Sequence, residues 1–131
     1  MRLWHIDLIE FLPRSQLIAQ WRELNSIFKK QDNHILINYV YEYDKKYLWY
    51  YTQKVIDEMR KRRYNINSWD NYNNYFNDVD VDMTQQYRFA EHDDLYLLVC
   101  YMNLTEKFIR GQRDFAEDLW EEIDGFTMQK M

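Results

Sequence analysis

Leu17, Trp21, Leu24 and Phe28 recur at intervals of three and four residues, with Ile18 and Ile27 beside them, and this spacing dictates what the first part of the chain can become. An α-helix turns by about 100° per residue, so these side chains line up as one apolar stripe. Ala19, Arg22, Glu23 and Ser26 then project from the opposite side. The pattern predicts a helix over residues 14–31 that must bury one face. Pro13 and Ser15 mark its start, because proline is tolerated in a first turn and serine is a good N-cap.

Beyond it, residues 33–43 mix β-branched and aromatic side chains and read as an extended connection. A second helix is predicted over residues 44–63, its stripe being Leu48, Tyr51, Val55, Ile56 and Met59. Residues 67–83 interleave asparagines with Trp69, Tyr72, Tyr75 and Phe76. Asparagine favours turns and local side-chain caps, so this stretch reads as a loop or short helical turns. A third helix is predicted over residues 92–110, with Leu95, Leu98, Val99 and Met102 as its buried stripe, until Gly111 breaks it. A short fourth helix over residues 114–123 would use Phe115, Leu119, Trp120 and Ile123.

Two glycines and one proline are the only such punctuation in 131 residues, which excludes a glycine-rich phosphate loop or a dinucleotide fingerprint. With no boundary signal and no internal repeat, the expectation is an all-α fold over residues 1–131: one compact domain of three main helices plus a short C-terminal helix. Cys100 lies in an apolar run and has no second cysteine to pair with, so it reads as a core residue, and the composition suits a reducing cytoplasm. No stretch approaches the roughly 18 apolar residues of a membrane span, and Asp7 and Glu10 interrupt the N-terminal segment where a signal peptide would be apolar. The alternating Asp78, Asp80 and Asp82 lack the loop glycine and distal glutamate of an EF-hand, and the histidines have no metal-ligand repeat, so no metal is expected.

Chemistry concentrates in the first half. Arg22 and Glu23 place a guanidinium and a carboxylate side by side on the polar flank of a helix, within folding distance of the chain's α-amine. That is the minimal equipment for imine chemistry on a phosphate-bearing substrate. An α-amine has a reference pKa of about 7.7–8.0, so roughly a tenth to a fifth of it is free nucleophile at neutral pH, far more than for a lysine. The last turn of the second helix carries Arg60, Lys61, Arg62 and Arg63. Cations complement the carbonyl end of a helix, but four in succession exceed that role, which leaves solvated surface and phosphate contact as the two readings. The aromatics of residues 67–83 either pack on the core or stack on bases around a flipped nucleotide. His34 and His92 are candidates for acid–base support if the fold brings either near Glu23.

Charge follows the same division. The net charge is −5, yet residues 1–66 carry twelve Lys/Arg against eight Asp/Glu (+4), while residues 67–131 carry five against fourteen (−9). A basic half can face DNA while an acidic half repels it from behind.

The opening tract resembles the pyrimidine-dimer DNA glycosylase family, small all-α enzymes that excise ultraviolet-damaged bases and nick the resulting abasic site. Leu17, Ala19, Arg22, Glu23, Leu24 and Phe28 agree with the family pattern without a gap, and Trp21 replaces a tyrosine. The tract from Glu58 to Ile66 is similar to the end of the family's second helix, where a Lys-Arg pair is followed by Gly-Phe-Asn-Ile. Met1-Arg2-Leu3-Trp4 resembles bacterial members. The resemblance implies a glycosylase and abasic-site lyase whose N-terminal amine, here that of Met1, attacks the sugar C1′ and forms an imine, with Glu23 supporting proton transfer. It implies DNA phosphate contacts from Arg22, to which Arg2, Lys61, Arg62 and Arg63 are added as basic neighbours, and it needs no cofactor. Arg2 is bulky, so Met1 is expected to be retained, and Ser26 stands where the family has a further DNA-binding arginine. Double-stranded DNA is the expected partner, with no membrane, and a protein partner would meet the acidic C-terminal half. Two alternatives stay open: a catalytically inert helical relative that binds nucleic acid, and an acidic protein-interaction module.

Overall fold

The computed structural model describes residues 2–115 and 117–131, and among them there are helices and no strand. Five α-helices follow one another: α1 (Arg14–Lys29), α2 (Lys45–Lys61), α3 (Asp70–Tyr75), α4 (Asp94–Ile109) and α5 (Glu117–Lys130). Two 3-10 helices, Ile6–Phe11 and Asn38–Glu42, lie before α1 and α2. The all-α expectation holds, and α1 and α2 bury the stripes that their spacing predicted. No helix among the described residues is long and apolar enough to cross a membrane.

Helix α1 packs against α2 and α3, α4 packs against α5, and the Ile6–Phe11 helix touches both α2 and α5. The N-terminal segment is therefore a wedge between two helical layers. Leu3, Leu8 and Leu12 are fully buried, and Phe11 meets Phe126 of α5 at 5.2 Å between ring centroids.

The start of α1 differs from expectation. Pro13 occupies the N-cap position without a side-chain cap. Ser15 spends both its N–H and its hydroxyl on Asp114 Oδ2, at 2.6 and 2.6 Å. A carboxylate from the α4–α5 connection thus does the work of an N-cap from 99 residues away in sequence. Gln112 stays alongside, exchanging amide hydrogen bonds with Gln16 and donating to Asp114 Oδ1 at 2.8 Å.

Helices α2 and α4 end in the same way. At the end of α2, Arg63 N–H donates to Arg60 O and Tyr64 N–H to Met59 O, each at 2.9 Å, with Arg63 in the left-handed region at φ 62°. At the end of α4, Gly111 at φ 82° and Gln112 repeat the pattern onto Phe108 and Lys107. This double closure satisfies carbonyls that a helix end would leave open.

Three expectations need correction. Residues 33–43 are not extended: they form a turn and then the Asn38–Glu42 helix, because Ile37 and Val40 stand three apart and a 3-10 turn puts both on the buried side. Helix α5 does not stop near Ile123 but continues through Gly125 to Lys130, since Ile123 and Thr127 are both buried and anchor the helix on either side of the glycine. The buried stripe of α4 is Leu97, Cys100 and Leu104. Leu95 and Met102, expected inside, are 71% and 60% exposed. This helix is apolar nearly all round, so its periodicity did not single out one face.

The asparagine-rich stretch holds the single short helix α3 and docks on α1 through aromatics. Trp69 meets Trp21 at 5.4 Å and Phe76 meets Phe28 at 5.1 Å, both edge to face. Trp21 Nε1 adds a hydrogen bond to Asn67 O at 3.0 Å.

Candidate functional site

The carbonyls of three successive N-terminal residues are each held by a different helix. Gln20 of α1 donates Nε2 to Arg2 O at 3.2 Å, Tyr96 of α4 donates its hydroxyl to Leu3 O, and Tyr51 of α2 donates its hydroxyl to Trp4 O at 2.7 Å. Gln20 Oε1 takes the Trp4 N–H at 2.9 Å and lies 3.0 Å from the Tyr51 hydroxyl. Ile6 N–H donates to His92 Nδ1 at 3.1 Å. The bonds of Gln20 and Tyr51 to Trp4 and of His92 to Ile6 are buried, so leaving any of those groups unpaired would cost about 1–3 kcal/mol.

Glu23 stands one helical turn beyond Gln20 and receives its Nε2 at 3.3 Å. One side-chain amide therefore binds both the N-terminal segment and the carboxylate. Glu23 is half-buried; burial pushes its carboxyl above the usual range, and the Arg2 backbone N–H with the Arg22 and Arg2 guanidinium groups offsets only part of that rise. The expected nucleophile, the amine of Met1, lies outside the described residues. Arg2 is drawn inward: its guanidinium sits 5.8 Å from the Trp4 ring centroid and beside the Tyr96 hydroxyl and Cys100.

Arg22 leaves α1 in another direction. It is exposed and lines a cleft of about 450 Å³ between α1 and residues 64–71, together with Arg14, Trp21, Asn25, Tyr64 and Asn71. Arg14 covers the Tyr64 ring at 4.7 Å, and Asn25 donates to Trp21 O at 2.9 Å while its Oδ1 is buried without a partner among the described residues. Arg14, Gln20 and Asn25 went unnoticed in the sequence. Arg14, Ile18, Arg22 and Asn25 follow helical spacing and share a face, and Gln20 is the polar interruption of the Leu17–Trp21–Leu24 stripe; both were readable signals.

The basic end of α2 is divided in role. Arg62 is committed to the fold: Nε pairs with Glu58 at 2.7 Å, and its two terminal nitrogens donate to Leu12 O at 2.7 Å and Glu10 O at 3.1 Å. Lys61 is exposed and borders a recess whose rim carries Asp7, Glu10, Asp57 and Glu58 together with Lys54 and Arg88. Arg63 is exposed and, among the described residues, makes no side-chain hydrogen bond.

Neither of the two histidines singled out hydrogen-bonds to Glu23 among the described residues. His34 sits exposed in a turn, accepting from Leu36 N–H at 3.2 Å. His92 is buried, its Nδ1 used by Ile6 and its Nε2 2.7 Å from the Tyr39 hydroxyl. Since Nδ1 accepts, Nε2 carries the proton, and burial with the neighbouring His5 and Arg88 pushes the ring's pKa down to about 3. His5, remote from His92 in sequence, is 5.6 Å from it between ring centroids. Among the described residues no three His, Cys, Asp or Glu side chains come together to hold a metal ion.

Residues 1–72, the stretch that contributes the pinned segment, α1, the Arg22–Glu23 pair and the end of α2, match the family model described as pyrimidine dimer DNA glycosylase. The chain belongs to that family. No curated protein and no solved structure matches it. Within this glycosylase-family chain, α4 and α5 lie beyond the matched residues, yet Tyr96 and His92 hold the matched N-terminal segment in place.

Proposed function

We propose that the protein is a DNA glycosylase with abasic-site lyase activity on pyrimidine-dimer-type lesions, working through an imine on the N-terminal amine. The observation that carries this is the Gln20 amide, which ties the backbone of Arg2 and Trp4 to the same point as the Glu23 carboxylate. The chemistry requires an α-amine and a carboxylate at one reacting centre, and anchoring Arg2 and Trp4 beside Glu23 supports that reading. The free amine attacks the sugar C1′, the base departs with its bonding electrons and takes up a proton, and the nitrogen gives up a proton; its lone pair then forms the C=N bond as the C1′–O4′ bond breaks and O4′ takes up a proton, which leaves a ring-opened protonated imine. Glu23 then accepts a proton from C2′, and the electrons released expel the 3′ phosphate. Its raised pKa suits a group that must both take and return protons. Arg22 and Arg14 flank the cleft that would take the DNA backbone, with Arg63 a further phosphate contact; the asparagines and aromatics between them offer hydrogen bonds and stacking to an extrahelical nucleotide.

Borohydride reduction tests this reading, because it turns the imine into a stable covalent adduct. Abasic-site duplex is expected to be trapped at the α-amine of Met1, and acetylating that amine should abolish trapping. Glu23→Gln keeps the shape and removes the ionisable group, so strand cleavage should slow by at least about 100-fold while duplex binding persists. An adduct on a lysine would replace the nucleophile. No adduct on abasic or dimer-containing duplex at low salt would favour a catalytically inert relative that binds nucleic acid.

A further inference from the structure

Leu95, Val99, Met102, Glu106 and Ile109 stand four, three, four and three residues apart along α4, the spacing of a helix-pairing seam. Leu95, Met102 and Ile109 are 71%, 60% and 75% exposed. The core takes the other face of α4 through Leu97, Cys100 and Leu104, so the seam faces away from the core. Three large apolar side chains, each about 10.5 Å from the next, form with Val99 an apolar stripe along about 21 Å of helix, interrupted only by Glu106.

The charges flanking this seam say what fits it. The amino end of α4 carries Asp93 and Asp94, and the carboxyl end carries Lys107 and Arg110. Two copies of α4 laid antiparallel about a two-fold axis at Met102 put Leu95 opposite Ile109 and Asp94 opposite Arg110, twice over. A parallel pair would instead set Asp94 against Asp94 and Glu106 against Glu106. Arg110 is free to re-pair, since its bond to Glu106 joins two side chains that are 77% and 69% exposed and is worth little. A shallow depression beside Ile109, lined by Tyr101, Met102 and Thr105 and edged by Glu106 and Arg110, lies where Leu95 of the second copy would rest.

We propose that the exposed face of α4 binds a second copy of this chain, antiparallel and centred on Met102. The contact is isologous, so it closes at two chains. An interface built on one helix lies at the small end of specific interfaces, so dimerisation should depend on concentration. None of Arg2, Arg22, Glu23 or Arg63 lies on this seam.

Crosslinking reads the register directly, and the native Cys100 is buried. With a short bis-maleimide, Met102→Cys is expected to give a covalent dimer in high yield. Leu95→Cys alone should give little, and a mixture of Leu95→Cys with Ile109→Cys should give a mixed dimer. Sedimentation velocity of the unmodified protein should show a monomer–dimer equilibrium that Met102→Lys shifts to monomer. Asp94→Arg should weaken dimerisation at least severalfold, and adding Arg110→Asp should restore it, with circular dichroism confirming folded variants throughout. A monomer at every concentration up to millimolar overturns the proposal. So does a dimer that survives Met102→Lys, self-crosslinking by Leu95→Cys as strong as by Met102→Cys, or a monomer whose α4 face binds lipid vesicles instead.

Discussion

Arg63 holds a backbone conformation that suits glycine, and the family pattern places glycine there. A Cβ in the left-handed region costs about 1–2 kcal/mol, and replacing it with glycine returns about 0.4–1 kcal/mol of that as unfolded-chain entropy. Arg63→Gly is thus expected to stabilise the protein by about 0.5–1 kcal/mol in urea denaturation, and to weaken DNA binding if the guanidinium meets phosphate. Equal or lower stability would show that the arginine side chain repays its own strain. His92 carries a different liability. Its folded pKa of about 3 lies below the usual value of 6.5, so as pH falls below about 6.5 the unfolded chain binds a proton that the folded chain refuses. Stability is then lost progressively between about pH 6.5 and pH 3, by as much as several kcal/mol. His92→Gln, whose side chain does not titrate, should flatten that part of a Tm-against-pH curve even if it lowers Tm at neutral pH.

At the scale of elements, α1 depends on a distant residue for its beginning. Burial alone would raise the Asp114 carboxyl, but hydrogen bonds from the Ser15 hydroxyl and N–H and from Gln112 outweigh it and hold the group below its usual range. Asp114→Ala should cost about 1 kcal/mol, the typical worth of an N-cap, and should remove the acid-side loss of stability as pH falls through the carboxylate range. A cost near zero would mean that water caps α1 equally well. This contact also shows what periodicity can and cannot convey. Helices α1 and α2 have one apolar stripe each against charged flanks, so their limits and buried faces were legible. Nothing local to Ser15 tells that its partner is Asp114, and nothing in α4, where Leu95, Leu97, Leu98 and Val99 are all apolar, tells which of them turn inward. The Arg22–Glu23 pair was visible because it lies on a well-read helix. Gln20, which joins the site together, was hidden because a glutamine on a buried stripe looks like an imperfection until its partners in α2 and the N-terminal segment are known.

Across the whole molecule, the basic charge does not act as a unit. Arg62 supports the chain by bonding to Glu58 and to the carbonyls of Glu10 and Leu12, whereas Arg22 faces a cleft. Arg22→Ala should reduce the slope of log affinity for duplex DNA against log salt by about one unit and leave folding unchanged. Arg62→Ala should cost about 2 kcal/mol of stability and barely change that slope. If both variants alter the slope equally, the internal bonds of Arg62 give way to phosphate on binding. The pinning of Arg2, Leu3 and Trp4 by Gln20, Tyr96 and Tyr51 has a temporal side as well. These residues leave the ribosome early, yet their last anchor is not synthesised until Tyr96. A nascent chain that stops short of α4 carries the whole family-matched segment with its Gln20 and Tyr51 anchors, yet lacks the one that Tyr96 makes to Leu3. Complete fastening of the chain's beginning therefore waits for residues synthesised after the family-matched segment.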